Sequence, residues 1–135
     1  MKRSGFARRK GGKATRRARR KKSGRWSRGH ADRLFSRWIK QRDPICVACE
    51  AAPSYDCSHY WVRRHSSVRF DPDNCVGLCR LCHSSWELKK RSDYYVFMIN
   101  RLGGDGYRNL EVRAMEYQKL NDAIWEFQSQ YTSMV

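Results

Sequence analysis

The sequence reads as a small α+β domain flanked by helices, with a disordered basic arm in front of it. Three features support this: a lopsided charge distribution, two paired-cysteine knuckles, and a hydrophobic period that switches between helical and alternating. The chain has 135 residues, which sets one domain as the prior. Its 29 Lys/Arg against 13 Asp/Glu give a net charge of +16. Residues 1–42 hold 18 of the cations and a single acid, Asp32, a net of +17. Residues 43–135 hold 11 cations and 12 acids, a net of −1. A near-neutral domain behind a cationic arm points to a polyanionic partner, above all nucleic acid.

Residues 1–28 carry 14 Lys/Arg, no acid, and frequent Gly and Ser. Their apolar surface is too small to offset chain entropy, so they are expected to be disordered when free. Arg16, Arg17, Arg19 and Arg20 are the candidate phosphate contacts of this arm. Folded chain is expected over 29–135. Leu34, Phe35, Trp38 and Ile39 recur at helical spacing across 31–40, and Pro44 ends that helix by Arg42. Residues 44–60 read as a short hairpin, with a knuckle at Cys46 and Cys49, a turn holding Pro53 and a strand over 55–60. Asp71-Pro72-Asp73-Asn74 marks a turn.

A helix should begin near Cys82. Another is expected over 93–102, with Ser92 as N-cap and Gly103-Gly104 as its stop. A last helix is expected over 107–130. In it Leu110, Tyr117, Leu120, Ile124, Phe127 and Tyr131 form a stripe with a/d-like steps. The stripe either packs on its own domain or makes a homodimer seam.

The longest apolar run, residues 94–99, is far short of the ~20 residues a membrane-spanning helix needs. The basic start has no apolar h-region of a secretory signal, and too few apolar residues for an amphipathic transit peptide. An intracellular location without membrane association is expected.

Of the six cysteines, four form Cys46-x-x-Cys49 and Cys79-x-x-Cys82, with 29 residues between the pairs. Two such knuckles place four thiolates around one tetrahedral Zn²⁺, and a structural zinc helps a domain of this size to fold. Cys57 and Cys75 are left over. They read as small buried hydrophobes, since their isolated spacing argues against ligation. Between and beside the knuckles stand Asp56, His59, Arg63, Arg64, His65, Arg69, Asp71, Asp73, Asn74 and His83. Histidines, acids and arginines on one metal-pinned frame suit phosphodiester hydrolysis. That reaction needs a base, a divalent ion for the leaving oxygen and cations for the phosphate.

His59, Asn74 and His83 stand as H-x14-N-x8-H, with His83 inside C-x-x-C-H. This pattern resembles the HNH (ββα-metal) nucleases, many of which carry the same flanking zinc knuckles. More narrowly, 46–83 is similar to the phage recombination endonucleases of the NinG/Rap type, through Asp56-Cys57-Ser58-His59-Tyr60, Arg69-Phe70-Asp71 and Asn74. The resemblance implies a zinc-stapled ββα-metal domain. It implies His59 as general base, Asn74 as the brace of the loop that orients His59, and His83 as ligand of a catalytic Mg²⁺ or Mn²⁺. It also implies products with 5′-phosphate and 3′-hydroxyl ends. One position departs from the common pattern. Ser58 stands where many members place a second metal ligand, so Asp56, on the same strand face, is the candidate in its stead, with Asp73 and His65 in reserve.

The expected activity is thus metal-dependent endonucleolytic cleavage of DNA, in branched or recombination-intermediate substrates if the narrower resemblance holds, and in the host-cell cytoplasm for a phage protein. Arg63, Arg64 and Arg69 join the arm as candidate DNA contacts. Two alternatives stand beside it: a zinc-ribbon nucleic-acid-binding protein without catalysis, and an HNH nuclease of ordinary duplex DNA.

Overall fold

The computed structural model describes residues 24–134. Arg16, Arg17, Arg19 and Arg20 lie outside them, as does most of the basic arm. The described chain contains four helices and one two-stranded sheet: α1 (Arg28–Arg42), β1 (Asp56–His59), β2 (Cys75–Leu78), α2 (Arg80–Leu88), α3 (Arg91–Met115) and α4 (Leu120–Met134). Short 3₁₀ turns at Ser66–Val68 and Pro72–Asn74 shape the loop between the strands. Among the described residues no helix is long and apolar enough to cross a membrane.

The strands pair antiparallel, with Asp56 opposite Leu78, Cys57 opposite Gly77, Ser58 opposite Val76 and His59 opposite Cys75. Successive side chains on a strand point to opposite faces, so this register divides the molecule. Val76 and Leu78 face one core, shared with Cys46, Tyr60, Val68, Trp86, Tyr94, Met98, Tyr107, Leu110 and Ala114. Cys57 and Cys75 face a second core, shared with Ala31, Phe35 and Ile39 of α1 and Ile124 and Phe127 of α4. The hairpin is a thin wall between two hydrophobic clusters.

Helix α1 starts where Ser27 caps it, its hydroxyl accepting from the His30 N–H at 3.2 Å. It ends with the Asp43 N–H on the Ile39 carbonyl, 2.9 Å, before Pro44. Described residues ahead of α1, inside the stretch expected to be a free arm, engage the domain. The Trp26 ring lies edge-on to Phe127 and Tyr131, and the Gln128 side chain bonds the Trp26 N–H and the Gly24 carbonyl.

Two expectations are corrected and one holds. The strand expected within a 44–60 hairpin pairs instead with Cys75–Leu78; inside 44–60 only an isolated bridge joins Ile45 and Pro53. The stop expected at Gly103-Gly104 is present: Gly103 is non-helical, at φ 74° and ψ 166°, and α3 is two helical stretches joined across this kink, the second running to Met115. The helix expected over 107–130 is broken between Met115 and Leu120, where Glu116 is extended. Its apparent stripe is split: Leu110 enters the first core, Ile124 and Phe127 the second, and Tyr117 is 88 % exposed in the break. The stripe therefore packs within its own domain.

Candidate metal centre and catalytic cluster

The first knuckle is a tight turn after Pro44. The Glu50 N–H bonds the Cys46 carbonyl, with Glu50 itself at φ 54°, and the Val47 N–H reaches the Gly77 carbonyl of β2. The second knuckle opens α2, where Cys79 is the N-cap and Cys82 lies in the first turn. The Sγ atoms of Cys46, Cys49, Cys79 and Cys82 lie within 4.8 Å of one another. A tetrahedral zinc with Zn–S near ~2.3 Å needs sulfurs roughly 3.8 Å apart, so the set can hold the ion with small adjustment. Burial pushes the Cys46 thiol up, but the backbone N–H groups of Cys49, Cys79 and Ala48 outweigh it and bring it down to about 7, whereas burial and hydrogen bonding to Cys79 and Cys46 push the Cys82 thiol up to about 12. Cys46 is thus the easiest thiolate to form, and Cys82 gives up its proton only to a bound cation.

One helical turn beyond Cys79, the His83 ring is clamped by two carboxylates. Its Nδ1 is 3.0 Å from Asp56 Oδ2 and its Nε2 is 2.7 Å from Glu87 Oε1. Glu87 follows His83 by four residues and so shares its helix face. All three side chains are partly open to solvent. The expected pairing of Asp56 with His83 is thus present in space. Glu87 was missed, although its i,i+4 spacing was legible.

His59 sits elsewhere. It alternates away from Asp56 and Ser58 and faces α1, with Phe35 at 6.1 Å between ring centroids. It is 8 % exposed, and its Nε2 donates to the Arg69 carbonyl at 2.9 Å. Burial holds the imidazole down at about 4, with the Arg69 hydrogen bond opposing only in part, so the ring is neutral at neutral pH. The structure therefore does not bring His59 and His83 to one point; they face opposite sides of the hairpin. Ser58 is fully buried, its hydroxyl 2.9 Å from the Tyr94 phenol. Asn74 braces the inter-strand loop. Its Oδ1 accepts from the Trp61 N–H, and its Nδ2 donates to the Trp61 and Val68 carbonyls.

The reserve ligands, Asp73 and His65, are engaged elsewhere. His65 Nδ1 lies 3.2 Å from the Ala114 carbonyl, and Asp73 binds Arg113, as does its neighbour Asp71. Arg69 is corrected as a DNA contact. Its guanidinium forks onto Asp32 at 3.0 and 2.8 Å and reaches the Arg63 carbonyl, so it is spent inside the domain. Arg63 and Arg64 are exposed.

A family model described as the bacteriophage lambda NinG protein matches residues 2–134. The chain belongs to the NinG family. No curated protein and no solved structure matches this NinG-family chain. The match takes in the basic arm, both knuckles and α4, so the arm and the closing helix belong to the family's pattern as much as the hairpin does.

Proposed function

We propose that this protein is a metal-dependent DNA endonuclease of the HNH (ββα-metal) type, hydrolysing phosphodiester bonds in branched or recombination-intermediate DNA. The observation that carries this is the clamp of Asp56 and Glu87 on His83, open to solvent where β1 meets the helix that follows the hairpin. The NinG family match supports the phage and recombination setting.

A carboxylate beside an imidazole, both partly exposed, suits a hard divalent ion, Mg²⁺ or Mn²⁺. Asp56 and His83 would hold it, and Glu87, on the other edge of the ring, would support His83 from behind. When bound, such an ion polarises a phosphoryl oxygen and lowers the pKa of bound water. The residues of the chain do the rest. Glu87 holds the Nε2 edge of the His83 ring, and a carboxylate oxygen that the ion leaves free would take the proton of an attacking water. Water adds to phosphorus, the bond to the 3′ oxygen breaks, and that oxygen leaves protonated beside a 5′-phosphate. Arg80 and Lys89, exposed at the two ends of α2, together with Arg63 and Arg64, supply positive charge for the strand. His59 acts through the fold, from the far side of the hairpin.

The test is cleavage of labelled linear duplex, single-stranded and four-way-junction DNA with Mg²⁺, Mn²⁺ or EDTA. His83→Ala and Asp56→Asn should lose at least a hundredfold in rate while keeping zinc and circular dichroism. Full activity in His83→Ala would sink the assignment. Salt-sensitive binding without cutting under any metal would establish the non-catalytic alternative. Equal cutting of linear duplex and junctions would favour the duplex nuclease.

A further inference from the structure

The two cysteines that the knuckles leave over meet in space. The Sγ atoms of Cys57 and Cys75 and a ring nitrogen of His59 lie within 4.8 Å of one another, on the hairpin face covered by α1. The register explains how: His59 and Cys75 are directly paired across the ladder, and Cys57 is two residues along the same strand face. The spacing in sequence conceals this, because the residues come from strands separated by the whole inter-strand loop.

We propose that Cys57, His59 and Cys75 form a second, buried metal site that takes a thiophilic ion of the Zn²⁺ class, distinct from the four-cysteine site. Three observations support it. First, the Arg69 carbonyl can only accept, so Nε2 of His59 carries the proton and Nδ1 is left with the lone pair a metal needs. A ligating histidine with its other N–H held by a backbone carbonyl is the usual supporting arrangement at metal sites. Second, the donor set of two thiols and one imidazole selects soft ions over Mg²⁺ or Ca²⁺. With both thiols ionised, a divalent ion makes the cluster neutral overall, which a buried site requires. Third, cations stand behind it. Arg42 Nη2 and Arg101 Nη1 donate to the Cys75 carbonyl at 2.6 and 3.2 Å, setting positive charge beside the thiolate that would form. Those same two guanidiniums hold the Pro72 carbonyl, so the loop that carries Cys75 is fixed from outside the cluster.

The site sits on the opposite hairpin face from His83 and is independent of the nuclease proposal. Metal content decides it. The full chain, purified under reducing conditions with Zn²⁺ present, should carry two zinc ions by mass spectrometry of the metal. Cys75→Ser and His59→Ala should each carry one, and Cys79→Ser should lose the other. Should those variants fail to fold, zinc-edge X-ray absorption of the wild type replaces them: mixed sulfur and nitrogen scattering supports the site, and sulfur alone overturns it. A single zinc in the wild type overturns it, as does a count unchanged at two in both Cys75→Ser and His59→Ala. A Cys57–Cys75 disulfide that persists under the reducing conditions also overturns it.

Discussion

At Gly77 the absence of one carbon lets two segments meet. A Cβ there would stand 2.6 Å from Ser54 Oγ, 2.7 Å from the Asp43 carbonyl oxygen and 2.9 Å from Asp43 Cβ. Gly77→Ala must therefore push the end of α1 off the hairpin, at a cost of about 1–3 kcal/mol, read as a lower urea midpoint. Asp43 works at the same spot. It accepts from the Gly77 N–H at 3.0 Å and pairs with Arg42. Burial alone would raise its carboxyl, but Arg42 and the Gly77 N–H outweigh that and hold it below the usual carboxylate range. A depressed folded pKa gives stability that is present above the unfolded value of roughly 4 and lost as pH falls through and below it. The acid-side loss of stability should be shallower in Asp43→Asn than in wild type. The fork of Arg69 on Asp32 is a third such point, with side chains only 10 % and 18 % exposed. Removing one partner strands the other, so Arg69→Met should cost about 3 kcal/mol while leaving DNA affinity nearly unchanged.

Among the elements, α3 shows how two adjacent glycines differ. Gly103 sits at φ 74° and ψ 166°, a region nearly closed to L residues, whereas its neighbour Gly104 is helical, with open space where a methyl group would go. Gly103→Ala should destabilise by about 1–3 kcal/mol, and Gly104→Ala should stabilise by roughly 0.5–1 kcal/mol. Helix α4 is held by aromatic contacts: Phe127 stacks on Phe70 at 5.0 Å and meets Phe35 edge-on at 5.6 Å. Phe127→Ala should cost about 3–5 kcal/mol and free α4 to exchange amide hydrogens ahead of the sheet. Tyr117, in the same sequence stripe, lies in the α3–α4 break, and Tyr117→Ser should change stability by under ~0.5 kcal/mol.

For the whole molecule, metal and charge dominate. With a metal bound, the four-cysteine cluster would tie the 46–49 turn to the start of α2, which no disulfide does among the described residues. Chelation should therefore collapse the cooperative thermal transition, and zinc should restore it. If the proposed DNA substrate is right, the +17 of residues 1–42 against −1 for the rest places most of the affinity in the basic N-terminal segment. A chain beginning at residue 24 should lose most of its affinity and much of its salt slope, because each phosphate contact contributes about 0.9 to that slope on duplex DNA.

The sequence by itself determined the charge of the basic arm, the grouping of the four cysteines, and the first helix and its end. Each of these rests on local spacing or on charge, which the chain order states directly; Asp56 and His83 became candidates through the family resemblance. The tertiary structure alone decided the rest. The partner of Asp56–His59 is 16 or more residues away in sequence. The stripe over 110–131 was one face in sequence and became two cores once the chain turned at Glu116. His59 and His83, separated only by number in the motif, came to opposite sides of a two-stranded wall because strand side chains alternate. The same alternation gathered Cys57, His59 and Cys75, whose spacing had given no sign that they would meet.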